Sequence, residues 1–484
     1  MTTHSYNKTV NCDSIIDLVV NRKVNGRNLL RMCILLMCYF VVNYGYAQNI
    51  NPLDSVRRQF ELDAAQIRAD FEVYEAQARA DYFRYTDSIK SIWGGDTIID
   101  NTPKIWVEYA KDFQSRSIVD FENGSVSVET AIDAVEIDDT TFINARLTEA
   151  VENLLNSRGS TCPYSSSVDP SLPLTKNPIM DGLIDWVQLG ISEFDIYSET
   201  GAKNVRPVPP APTVKGTELA LTNEKRKIKV PSEEEGEAKE RKTLAEKRQE
   251  GRAKAKQKTE QLKGYAEKSK LANKIVQSAR KTYLSIKGKD GISRQSVKIQ
   301  MALVSDNISK NAALYKDLVA EFSDRFQIEQ PLIFAIIEQE SAFNPQAKSW
   351  VPAYGLMQLV PRSGGRDAYR YVYKVDRIPE MSYLYNPRNN IELGTAYLRV
   401  LMNQFAEVRD PHCRRLCVIA SYNTGPGNVS RSFIGNSNLT KAFTAINRHD
   451  YNGLYNHLVS NLPYEETRNY VEKVTKRREK YMKQ

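Results

Sequence analysis

The sequence predicts an α+β protein, with a small α+β N-terminal domain followed by an all-α domain. Three observations carry that prediction. A long helical periodicity runs over 52–92, a hairpin signal surrounds Asn123-Gly124 with a later strand at 296–304, and from 308 onward the chain reads as helices punctuated by Pro and Gly. The 484 residues allow two or three domains. With 41% hydrophobic and 26% charged residues, collagen-like, coiled-coil-only and multi-span membrane architectures are excluded. Four His and six Cys, none in C-x-x-C or H-E-x-x-H spacing, leave no metal site and no cofactor to expect.

At the N-terminus, Arg22, Lys23, Arg27 and Arg31 precede an apolar run from Met32 to Val42 and the small residues Gly45 and Ala47. This order predicts a signal peptide over 1–47 and an exported protein. The run is shorter than the about 20 apolar residues that span a bilayer. Cys38 follows Met37 rather than a small residue, so a lipoprotein is not the expectation. Cleavage after Ala47 leaves Cys162, Cys413 and Cys417, an odd number that rules out a fully paired disulfide framework. Cys413 and Cys417, four apart, read as small packing residues of one helix face.

The first domain is expected over 48–160. Val56, Phe60, Ile67, Phe71, Tyr74, Ala78, Tyr82 and Ile89 recur at helical steps until Gly94-Gly95. Ser117–Glu122 and Ser125–Thr130 alternate around Asn123-Gly124, which suits a two-residue type I′ turn. Residues 141–156 read as a second helix. Residues 161–293 are expected to be a Pro-rich and charged low-complexity insertion. Arg206 to Pro212 should be extended, and 233–281 hold too few large apolar groups to repay ordering. Residues 224–290 carry 21 Lys and Arg against 11 Asp and Glu, more excess charge than the +8 of the whole chain. A solvated spacer is the plain reading of that segment. Contact with a membrane or another envelope surface is its alternative use. Nucleic acid is not expected, because only Tyr265 and Tyr283 could stack on bases and the signal peptide sends the chain elsewhere. Val297, Ile299, Met301 and Leu303 alternate with polar residues, so 294–305 reads as a strand that returns to the first sheet and completes it. Residues 306–484 form the all-α domain. Nothing in the sequence sets an oligomeric state.

The segment Pro331 to Pro345 is the most informative. Pro331 suits a helix's first turn and Asn344-Pro345 its end. Ile333, Ile336, Ile337 and Glu340 fall within a sector of about 100°, with Glu338 about 160° away from Glu340. A carboxyl on an apolar stripe is desolvated and keeps its proton to higher pH, which suits a general acid at a glycosidic oxygen. A structural glutamate satisfied by backbone groups is the competing reading of the same helix.

Three further segments decide between them: Gly355-Leu356-Met357-Gln358, Ser421-Tyr422-Asn423 and Pro463 to Val471. With Glu340-Ser341 they resemble, in order over about 140 residues, the four motifs of the lysozyme-like lytic transglycosylases. Ser421 stands where that family has Ala. Asp410 to Arg415, Ser91 to Gly94 and the Asn-Gly hairpin resemble a membrane-bound branch of the same family. The resemblance implies a lysozyme-like catalytic domain over 306–484 that cleaves peptidoglycan glycan strands in the periplasm or at the outer membrane. It implies Glu340 as acid and then base, with formation of a 1,6-anhydro sugar. It further implies substrate contacts from Ser349, Met357, Gln358, Tyr422, Asn423 and Glu466. Two other readings stay open, a hydrolytic muramidase with a second carboxylate and a non-catalytic peptidoglycan-binding protein. Asp367 and Asp376, the nearest acidic residues after Gln358, read as solvated.

Overall fold

Helix α1 (Pro52–Trp93) opens the computed structural model, which describes residues 52–95, 97–159, 175, 177–185, 188–191 and 266–483. The expected signal peptide, the Pro-rich stretch and the charged residues before 266 lie outside the described residues. The chain divides into two units, Met1–Val73 and Tyr74–Gln484. The described part of the first is the leading half of α1, where Gln66 and Asp70 bond at i,i+4. All that follows lies in the second unit.

Strands β1 (Ile105–Tyr109), β2 (Ser115–Asp120), β3 (Ser125–Asp133), β4 (Thr282–Lys287) and β5 (Ser293–Ala302) form one antiparallel sheet in the order β1-β2-β3-β5-β4. β3 and β5 pair over nine residues, from Ser125 opposite Ala302 to Asp133 opposite Arg294. Alternation puts Val119, Val126, Val128, Val297 and Ile299 on one face, where α2 (Thr140–Asn156) covers them with Ile143, Leu147, Val151 and Leu154. The end of α1 takes the opposite face. There Trp93 is fully buried and the Arg116 guanidinium lies 4.0 Å above its ring, paired with Glu129 at 2.6 Å.

Two expectations need correction here. The hairpin has no two-residue type I′ turn: β2 stops at Asp120, and Phe121–Gly124 form the loop. Phe121 is drawn wholly into the core, the Asp120 carboxylate accepts the Asn123 N–H at 2.9 Å, and Gly124 alone takes a positive φ, 66°. The stretch 161–293 is also not simply an insertion. Ile179, Met180, Leu183, Ile184 and Ile191 join the domain's core, as do Ala272, Ile275 and Val276 of helix α3 (266–278), and β4 supplies an edge of the sheet.

The rest is helical: α4 (Asn307–Leu314), α5 (Lys316–Phe326), α6 (Gln330–Ser341), α7 (Arg366–Tyr373), α8 (Met381–Tyr385), α9 (Pro387–Gln404), α10 (Pro411–Thr424), α11 (Pro426–Ile434), α12 (Leu439–Ile446), α13 (Tyr451–Asn461) and α14 (Glu465–Met482). Ile333, Ile336 and Ile337 of α6, Leu393 and Leu398 of α9, Leu416 and Cys417 of α10 and Val471 and Val474 of α14 share one core. Cys413 and Cys417 are both buried and free. No described helix is long and apolar enough to cross a membrane.

Candidate active site

Helix α6 starts with Pro331 in its first turn and runs to Ser341. Ala342 and Phe343 then take left-handed conformations, φ 49° and 67°, so the chain turns away immediately after Glu340-Ser341. Left-handed non-glycine residues are uncommon and hold only where surroundings over-determine them. Here both side chains are buried. Fully buried Ser341 places its Oγ 2.8 Å from Leu356 O and 3.0 Å from Ile337 O, tying the acid helix to the Gly-Leu-Met-Gln turn.

That turn needs its glycine. Gly355 has φ 76°, and a Cβ there would stand 2.4 Å from both Leu384 O and Asn390 Nδ2. Asn390, wholly buried on α9, fixes the turn by accepting the Met357 N–H at 2.8 Å and donating to Tyr354 O and Leu384 O at 2.8 and 2.7 Å.

The Glu340 carboxyl meets Tyr470 of α14. Burial pushes its carboxyl up to about 7; a hydrogen bond from Tyr470 opposes the rise, the Glu466 charge adds to it, and the Lys104 charge opposes it. Tyr470 Oη donates to Glu340 Oε1 at 2.7 Å, and burial holds that phenol well above its ordinary range, so it stays a donor. Glu338, two residues earlier, behaves oppositely. Burial works against its charge too, but Tyr481 (2.6 Å), Lys480 (3.0 Å) and Arg477 (3.1 Å) hold it below the ordinary carboxylate range.

The other predicted residues are placed as follows. Tyr422 Oη donates to Met357 O at 2.8 Å, and its own ionisation is suppressed by burial and by the Glu340 charge. Asn423 Nδ2 lies 3.4 Å from Glu466 Oε1 on the first turn of α14, and Asn423 Oδ1 accepts from Thr467 at 2.6 Å. Gln358, with φ 45°, donates to Gly355 O at 3.0 Å, and its buried Oε1 has no hydrogen-bond partner among the described residues. Ser349 is half-buried and braces its own loop, its Oγ accepting the Ala353 N–H at 3.2 Å. Met357 needs a correction. Its side chain is fully buried against Gly394, where a Cβ would stand 2.3 Å from the sulfur, so it packs the core and lines no subsite. Only its carbonyl reaches the site. Asp367 and Asp376 are tied to Arg370 and Arg366 at 3.3 and 2.6 Å rather than aimed at Glu340.

Tyr470, Asn390 and Lys104 were not singled out from the sequence. Tyr470 sits in the last motif, one helical turn after Glu466, and that spacing was its available signal. Asn390 follows Asn386-Pro387 as a polar residue in an otherwise apolar helix face. Lys104 carries no local signal at all. Among the described residues no three His, Cys, Asp or Glu side chains gather as metal ligands.

The arrangement offers one protonatable carboxyl near neutral pH, a phenol that stabilises its anion, and polar side chains at the start of α14. Residues 317–443 match the transglycosylase SLT domain, and residues 84–155 match the N-terminal domain of membrane-bound lytic murein transglycosylase C. The chain is similar to the membrane-bound lytic murein transglycosylase C of Haemophilus ducreyi, 40% identical over 186 residues, which are 38% of this chain and half of that protein's length. It is 28% identical to the protein of the same name from Actinobacillus pleuropneumoniae over 401 residues, 82% of this chain and 86% of that one. With the Serratia proteamaculans protein of that name it shares 29% identity over 402 residues, covering 82% and 88% of the two chains.

Proposed function

We propose that this chain is a lytic murein transglycosylase that cleaves the β-1,4 bond between N-acetylmuramic acid and N-acetylglucosamine in peptidoglycan, with Glu340 as the acid and then the base. The observation that carries this reading is the half-buried Glu340 carboxyl, raised to about 7 by loss of water and bonded to Tyr470.

Protonated Glu340 gives its proton to the leaving O4 of N-acetylglucosamine as the C1–O4 bond breaks. The resulting carboxylate, stabilised by the Tyr470 hydroxyl, takes the proton from the muramic 6-hydroxyl as O6 closes on C1. The acid is thereby restored, a 1,6-anhydro ring forms, and no water is consumed. One carboxylate suffices, whereas hydrolysis requires a second to handle water. Gln358, Tyr422, Asn423, Glu466 and Ser349 are proposed to hold the glycan. The relatives' name, together with the signal peptide expected over 1–47, supports export and residence at the cell envelope, in the periplasm with membrane contact.

The test is mass spectrometry of sugars released from purified peptidoglycan by the full chain and by Glu340→Gln. Anhydromuramic products are expected from the wild type, with the rate falling by about 10²–10⁴-fold in the variant. Products about 18 Da heavier, carrying one water, would mean a hydrolase. Release of no sugar by either protein would leave a peptidoglycan-binding role.

A further inference from the structure

Ala347 to Gly355 form a short hairpin between the acid helix and the Gly-Leu-Met-Gln turn. Lys348 pairs with Tyr354 in an antiparallel bridge, the Gly355 N–H donates to Ala347 O at 2.9 Å, and the Ser349 N–H donates to Ala353 O at 3.2 Å. The Ser349 hydroxyl accepts the Ala353 N–H at 3.2 Å and donates to Val351 O, which closes the tip. The Lys348 ammonium stands 4.2 Å from the centre of the Tyr82 ring of α1. Tyr354 and Leu359 exchange both backbone bonds at 3.1 Å, so the returning arm is anchored in the turn itself. Leu356 O of that turn accepts the Ser341 hydroxyl at 2.8 Å, one residue after Glu340.

What this braced tip presents is Trp350. Its side chain is wholly exposed, with Val351 exposed beside it, whereas Trp93 and Trp106 are wholly buried. A large ring held out in water by a hairpin fixed at both arms marks a contact surface. The tip's hydroxyl is engaged within the hairpin, so the indole face is what it offers. Five residues of chain, at most about 17 Å when extended, separate Trp350 from Gly355. A glycan several sugars long, seated at Glu340, covers that distance. Its chemistry suits the ring: β-1,4-linked pyranoses carry their substituents equatorially, which leaves faces of axial C–H groups that lie flat on an aromatic plane. A lipid surface suits the tip less. An anionic headgroup calls for a cation, and Lys348, the hairpin's cation, is turned onto Tyr82.

We propose that Trp350 is a stacking platform for one sugar of the glycan strand, at a subsite away from the scissile bond. The proposal rests on the reading of this chain as a peptidoglycan-cleaving enzyme with Glu340 as its acid.

The test measures binding of peptide-free glycan strands, prepared from purified peptidoglycan with an amidase, to full-length Glu340→Gln and to the same chain carrying Trp350→Ala or Trp350→Tyr. Cosedimentation with phosphatidylethanolamine/phosphatidylglycerol vesicles and thermal unfolding are measured alongside. Trp350→Ala should weaken strand binding about three- to tenfold and Trp350→Tyr should recover most of it, with no change in Tm because the side chain is wholly exposed. With Glu340 intact, Trp350→Ala should raise KM for the strands and leave kcat in place. Equal strand binding by all three chains overturns the proposal, and so does weaker binding that only tracks a lowered Tm. Loss of vesicle binding with strand binding intact also overturns it and assigns the tip to the membrane. These results, with Glu340→Gln binding strands, remove the platform alone, whereas a Glu340→Gln chain that binds no strands removes the glycan reading itself and the platform with it.

Discussion

Glu338 and Glu340 stand on one helix two residues apart, and the fold drives them in opposite directions. Both lose water to burial. Glu338 turns toward the later turns of α14, where Arg477, Lys480 and Tyr481 converge on it and keep it ionised. Glu340, about 160° around the helix from it, meets a phenol instead of a cation and rises to about 7. Burial alone therefore does not make an acid. The charge of the partner decides, and a neutral donor in place of a guanidinium separates the reactive carboxyl from the structural one.

The widest separation between the two should appear in the pH dependence of stability. The folded state raises the Glu340 pKa above the unfolded value, so its contribution is full below about 4.5 and is lost as pH rises toward 7. Glu340→Gln should unfold near the wild type's Tm at pH 4 and become more stable than it above pH 7, by about 1–3 kcal/mol. Glu338 has its folded pKa lowered, so its contribution is present above its unfolded value and is lost as pH falls through the folded one. Glu338→Gln should cost about 2 kcal/mol at pH 7, because Arg477 and Lys480 lose their partner, and progressively less in acid. Thermal melts of the two variants from pH 4 to 8 check this; parallel curves would show that the two sites are not opposed.

The contrast was only half legible in the sequence. The stripe Ile333, Ile336, Ile337 and Glu340 follows from about 100° per residue, and all three isoleucines are fully buried. The same rotation put Glu338 on the opposite side, and nothing local said that this side also meets a helix. Its partners lie about 140 residues on, as does Tyr470, and no helical period relates residues that far apart. Met357 misled for a like reason: the hole it fills is made by Gly394 on another helix. In the first domain, helix 52–92 and the hairpin arms stood out by period, but Phe121, buried by the sheet, displaced the turn. β4 stayed hidden because only Ile286 of its six residues is buried, which removes the alternation. Ala272, Ile275, Val276 and Ala279 do carry a helical stripe, masked by the lysines around them.

The phenol is the next point at which the comparison can be broken. Tyr470→Phe keeps the packing and removes the donor to Glu340 Oε1, a hydrogen bond to a charged group in the second half of the reaction. Losing it disfavours the anion, so the alkaline limb of kcat/KM should move to higher pH while kcat falls about tenfold, the equivalent of about 1.4 kcal/mol. Unchanged kcat with an unchanged limb would mean that burial sets the Glu340 acidity without help from its neighbour.

The smallest effect belongs to Glu466, which acts on Glu340 by charge alone from the exposed first turn of α14. Its anion raises the cost of a second negative charge nearby, so Glu466→Gln should move the alkaline limb to lower pH by a few tenths of a unit, opposite in sign to Tyr470→Phe. An exposed charge is screened by salt, with a Debye length of about 10 Å at 0.1 M. Salt should therefore move the wild-type limb in the same direction as the substitution, and should move the variant's limb less. Salt that shifts both proteins equally would place the source of the effect elsewhere. A loss of kcat/KM at every pH without a shift of the limb would instead show Glu466 acting on the glycan together with Asn423, the side chain it faces at 3.4 Å.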